Sequence, residues 1–151
     1  DATSRARVDH RPWGVFLKAY LVPGVPNRVA YGRVDGAARA RLQAYLENLS
    51  TVPVSRLGRA EQRAFWINLY NSLTVRVVLD HYPLDSIRQI RISPGFFSVG
   101  PWGKKLITVE GAEVSLDDIE HRILRPIGMD ARVHYAVNCA SLSPSAPPAS
   151  K

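Results

Sequence analysis

Phe65-Trp66-Ile67-Asn68-Leu69-Tyr70-Asn71-Ser72-Leu73-Thr74-Val75 lies within the longest apolar run of the chain, and its reading decides the fold. Phe65, Trp66, Leu69, Tyr70 and Leu73 recur at helical spacing and continue into Val77 and Val78. That spacing predicts a long helix from about Arg59 to Asp80, stopped by Pro83. Apolar residues cover most of its circumference, as expected of a central, largely buried helix. Asn68 and Asn71 interrupt it on neighbouring faces. A buried amide without partners is costly, so each is expected to be hydrogen-bonded, either bracing a loop's backbone or contacting substrate.

Two shorter helices should precede it. Trp13, Phe16, Leu17 and Tyr20 follow the i, i+3, i+4, i+7 pattern after Pro12. Pro23, Gly24 and Pro26 end that helix, and Arg28 to Tyr31 reads as a brief extended segment. Asp35 is placed to cap a second helix with Leu42, Tyr45, Leu46 and Leu49 as its buried stripe. Thr51 to Ser55 reads as a linker.

Beyond the long helix, Pro83 to Ile90 reads as a short helix or turn. Ser93 to Gly103 is a loop with exposed-looking Phe96, Phe97 and Trp102. Lys105 to Val109, Glu110-Gly111 and Ala112 to Val114 read as strand, turn and strand of a small hairpin. Ser115 then opens a capping box with Asp118 in place of the usual glutamate. The helix it starts should bury Leu116, Ile119, Ile123 and Leu124 and end at Pro126. Val133, Tyr135 and Val137 alternate with His134, Ala136 and Asn138, predicting a strand. The expected fold class is α+β: one helix-rich domain with a long central helix (about 59–80) and a small antiparallel sheet. A short arm (1–11) precedes the domain (12–142), and a disordered tail (143–151) follows.

The length suits one domain with a real core, and 46% apolar with 22% charged residues is an ordinary globular composition. The best candidate for a membrane span, Ala64 to Leu79, is broken by Asn68, Asn71 and Arg76, so no transmembrane segment is expected. No signal peptide is visible in the polar Asp1 to His10 segment, and a start at Asp suggests that residues precede it. The net charge of +7 is spread along the chain without a basic cluster bearing interleaved aromatics, so no nucleic-acid partner is expected.

The chemistry-bearing residues gather near the C-terminus. Cys139, the one cysteine, follows Asn138 and lies five residues after His134; Glu120-His121 stands upstream. A thiol, imidazoles, a carboxylate and an amide are the parts of a cysteine nucleophile site. Free cysteine is also a common inert core residue, and each histidine has an ordinary polar reading as well. Glu120 borders the apolar stripe of its helix and needs a partner there. Glu120 and His121 are adjacent, so they do not face each other on a helix. His134 is equally a candidate base. A metal centre is not expected, for no CxxC, HxxxH or HExxH spacing supports one; no cofactor is expected either, in the absence of a phosphate loop or GxGxxG.

Phe65 to Val75, Leu79-Asp80-His81-Tyr82-Pro83, Pro101-Trp102-Gly103-Lys104-Lys105, Leu116 to Pro126 and His134 to Ser141 together resemble successive motifs of one family, catalogued as domain of unknown function 547. The resemblance runs from about Pro12 to Leu142. It implies a mixed α and β domain found in bacterial proteins that are often exported, hence periplasmic or exported here, and in plant and animal proteins beside other modules. Its motif residues fall on Glu120, His121, Asn138 and Cys139, with Asn68 and Asn71 in the long helix. The set is similar in residue types to the site of papain-like peptidases and transglutaminases, an analogy without shared sequence order. Family members usually continue Cys-Ala-Ser with a second cysteine, a proline and a further helical portion. Here Ser141-Leu142-Ser143 runs into Pro144, so the chain is expected to be truncated or to lack residues between Ser143 and the tail.

Two functions follow as expectations. The first is a cysteine-dependent hydrolase or acyltransferase acting on a peptide or protein substrate. In it Cys139 is nucleophile, His121 base with His134 as substitute, Glu120 a charged orienter and Asn138 the oxyanion or orienting amide. Asn68, Asn71, His134 and Trp102 are its candidate binding residues. The second is a non-catalytic protein-binding module that uses the aromatic loop 93–103.

Overall fold

The computed structural model describes residues 3–24, 27–83 and 102–127. In chain order these form α1 (Arg11–Tyr20), β1 (Leu21–Val22), β2 (Arg28–Val29), α2 (Gly36–Ser50), α3 (Arg59–His81), β3 (Ile107–Val109), β4 (Ala112–Val114) and a π-helix (Asp118–Leu124). The domain is α+β and helix-rich, with a long central helix and small antiparallel pairings.

α3 is that central helix. Phe65, Leu69, Tyr70 and Leu73 are fully buried, and Val75, Val77, Val78 and Leu79 nearly so. Its first turn is held by the Gln62 side chain, which donates to the Leu57 carbonyl at 2.9 Å. It ends where Tyr82 turns extended ahead of Pro83, since a residue before proline is disfavoured in helical conformation. α2 packs on one side of α3 and the π-helix packs on another, while α1 lies against α2.

α2 begins as its sequence requires, with the Asp35 carboxylate accepting from the Ala38 N–H at 2.7 Å. Its predicted stripe, Leu42, Tyr45, Leu46 and Leu49, is buried throughout. α1 inserts Trp13 and Phe16, whose rings stack at 5.4 Å. β1 and β2 pair antiparallel, Leu21 opposite Val29, and carry the chain back to the buried Tyr31. The stretch read as a linker has more structure than that: Val54–Arg56 is a 3₁₀ turn that buries Val54, and Leu57 is buried just after it.

β3 and β4 form the predicted hairpin, with Ile107 opposite Val114 and Val109 opposite Ala112. Glu110 and Gly111 both have positive φ, 46° and 81°, the conformation a two-residue primed turn demands. A glutamate is an unusual occupant there. Its carboxylate is fixed by the Ser55 hydroxyl at 2.6 Å and the Ser55 N–H at 3.2 Å, contacts that offset the backbone cost.

Among the described residues, no helix is long and apolar enough to cross a membrane. Four readings lie outside them: the turn over 84–90, most of the 93–103 loop, the strand over 133–138 and the 143–151 tail.

Candidate functional site

The described part of the site is built by the turn that follows β4. Ser115 and Asp118 close the predicted capping box: the Ser115 N–H donates to Asp118 Oδ2 at 2.8 Å, and the Asp118 N–H donates to Ser115 Oγ at 3.1 Å. The Lys105 ammonium also donates to the Asp118 carboxylate. That ammonium, with the Ser115 amide, pulls the Asp118 pKa down to about 2.

The chain does not continue as the expected α-helix. After Leu116 and Asp117 it widens into the π-helix, and the Arg125 N–H donates to the Glu120 carbonyl five residues back at 3.0 Å. The buried face shifts accordingly. Ile119 and Leu124, five apart, are sealed at 0% and 1% exposure. Ile123, which an α period would have placed beneath Ile119, is half-buried instead.

This winding sends two neighbouring side chains to different partners. Glu120 turns towards α3, where the Tyr70 hydroxyl donates to its Oε2 at 3.5 Å. Burial, together with the charges of Glu120 and Asp117, pushes the Tyr70 pKa far up, so the phenol stays protonated and keeps its donor. His121 points outward, with Nε2 3.7 Å from Asp117 Oδ1, four residues back. Asp117 is itself positioned by its N–H, which donates to the Trp102 carbonyl at 2.9 Å. The ring's close ion-pair neighbour is thus Asp117, while Glu120, expected as the orienter, has its carboxylate against Tyr70.

One ligand atom from each of Asp117, Glu120 and His121 lies within 4.8 Å of the others. This set of two carboxylates and an imidazole is a donor combination that divalent metals accept.

Trp102 does not stand exposed as its loop suggested; it is half-buried and packs against the core. Asn68 and Asn71 are half-buried rather than sealed. Among the described residues neither amide has a side-chain hydrogen-bond partner. With ~100° per residue, Asn71 sits on the flank of α3 next to Tyr70, whereas Asn68 lies ~160° from it. His134, Asn138 and Cys139, and Phe96 and Phe97 of the alternative surface, lie outside the described residues.

Sequence reasoning missed two members of this cluster. Tyr70 looked like pure core, and nothing in helical spacing announced that its hydroxyl would meet a carboxylate fifty positions away. Asp117 did carry a signal, its i, i+4 relation to His121.

No curated protein and no solved structure matches the chain. The family described as "Protein of unknown function, DUF547" matches residues 54–149, well over half of the chain. The match begins before α3 and takes in Tyr70, Asp117, Glu120, His121, Asn138 and Cys139. The chain therefore belongs to the DUF547 family.

Proposed function

We propose that the chain is a thiol-dependent hydrolase or acyltransferase acting on peptide or amide bonds, with Cys139 as nucleophile and His121 as its base. The observation that supports this reading is the outward-facing imidazole of His121 with Asp117 3.7 Å from its Nε2. An imidazole that accepts the thiol's proton becomes a cation, and the Asp117 carboxylate is placed to face it. Glu120, held by Tyr70, keeps a second negative charge close to the ring.

In the reaction, Cys139 gives its proton to His121 and the thiolate attacks the carbonyl carbon, forming a C–S bond and an oxyanion. The Asn138 amide donates to that oxygen. The C–N bond then breaks as the imidazolium protonates the departing amine, leaving a thioester. Water, or an acceptor amine, attacks next, loses its proton to His121 and displaces the thiol. His134 is the substitute base. The family resemblance carries a periplasmic or exported setting with this reading.

The test is p-nitrophenyl acetate added to native protein and to Cys139→Ser. The reading expects a stoichiometric burst of p-nitrophenolate and an acetyl group on Cys139 by intact mass, both lost in the variant at unchanged melting temperature. A native protein that stays unacetylated at Cys139 contradicts it, and the binding-module reading with Phe96, Phe97 and Trp102 then takes its place.

A further inference from the structure

We propose that the groove between the first two turns of α3 and the end of the π-helix binds an acidic, partly apolar peptide segment. The proposal names the substrate class of the reading above and, as a statement about substrate, rests on it. The groove has a volume of about 570 Å³, within the range of a working ligand site. One wall is Arg59, Arg63 and Trp66; the other is Ile123, Pro126 and Ile127.

The arginine wall carries two positive charges. Arg59 and Arg63 are exposed, and among the described residues neither has an ion-pair partner, as holds for several other arginines of the chain. The acid nearest in sequence, Glu61, lies ~160° around the helix from both. Its carboxylate is taken by Arg7 at 3.4 Å and by the Val8 N–H at 3.3 Å. Trp66 is a fixed platform, braced edge-on by the buried Phe65 ring at 5.0 Å.

These walls fit carboxylates on one side and aliphatic side chains on the other. A nucleic-acid backbone presents phosphate to both walls and has no use for Ile123, Pro126 and Ile127. Arg59, Arg63 and Trp66 occupy successive turns of the stripe of α3 that also carries the buried Tyr70. The net charge of +7 favours encounter with an acidic chain.

The test uses the full chain as Cys139→Ser, so that turnover cannot consume the probe. Fluorescence anisotropy is followed with a labelled eight-residue peptide of alternating Glu and Leu. Its Gln-Leu counterpart and a single-stranded oligonucleotide are the comparisons. The proposal expects binding of the Glu-Leu peptide, weakening with salt, and at least about tenfold loss in Arg59→Glu/Arg63→Glu. Should that double variant fail to fold, Arg63→Gln and Ile127→Asp each must weaken binding in the same assay. Equal affinity for the Gln-Leu peptide, or tighter binding of the oligonucleotide with the same arginine dependence, overturns the proposal. Acylation of Cys139 is read separately, so a groove that binds beside an unreactive thiol sinks only the enzyme reading.

Discussion

Tyr70 and Glu120 meet across the interface between α3 and the π-helix, the phenol of a fully buried ring donating at 3.5 Å to a half-buried carboxylate. The distance is at the long limit of a hydrogen bond; Glu120 reaches towards α3, while His121 is exposed on the outer side. Tyr70→Phe keeps the ring and removes the donor. It should cost about 0.5–1.5 kcal/mol, seen as a lower denaturation midpoint at unchanged slope. An unaltered midpoint would mean that the contact does not hold Glu120.

The π winding predicts an unequal pair of truncations. Leu124→Ala should cost about 2–5 kcal/mol, as sealed leucines do, and Ile123→Ala about 1 kcal/mol or less. Chemical denaturation of both variants decides it. Equal costs would contradict the i, i+5 register and restore an α-helix with both side chains inside.

The capping box carries a pH signature. Asp118 has its pKa held down to about 2 by Lys105 and the Ser115 amide. A depressed carboxylate contributes stability above its unfolded value, and that contribution is lost as pH falls from about 4 towards 2. Asp118→Asn should be less stable than the native chain at pH 6 and should converge on it near pH 2. Ser115→Ala should cost about 1 kcal/mol through the lost cap. A difference that persists undiminished to pH 2 would show that the Asp118 charge is not the cause.

A second pH effect belongs to the arm before α1. His10 Nδ1 pairs with the Tyr45 hydroxyl at 2.7 Å, while its Nε2 is buried with no hydrogen-bond partner among the described residues. Burial lowers its pKa below the ordinary 6.5, against the opposing pull of Glu61 and Asp9. The unfolded chain therefore takes up a proton first, so this stability is present above about pH 6.5 and declines as pH falls below it. Melting temperature across pH 5 to 8 should fall on the acid side for the native chain, and less so for His10→Gln. Parallel profiles would remove His10 from the account.

Much of the fold was legible because burial and helical period coincide in α2 and α3. The Leu42, Tyr45, Leu46 and Leu49 stripe and the Phe65 to Val78 run each have one sensible packing. Glu110-Gly111 between alternating strands likewise announced its turn. The π-helix was not legible: an i, i+5 face needs only that Leu124 replace Ile123 inside, and both are equally apolar. The candidate site was legible as an inventory of residue types around Glu120 and His121. Which partner each would take was not, since one residue of extra winding redirects a side chain and a lone sequence records no winding.

The proposed role of His121 as base to Cys139 is read in the pH dependence of Cys139 alkylation by iodoacetamide. Rates should be measured in native protein, in Asp117→Asn and in His121→Ala. Native protein should label fast, with an apparent pKa well below the free-thiol value of roughly 8.5. That pKa should move upward in Asp117→Asn and return to the free value in His121→Ala. A thiol that labels only after unfolding, or with the same profile in all three proteins, would contradict that role.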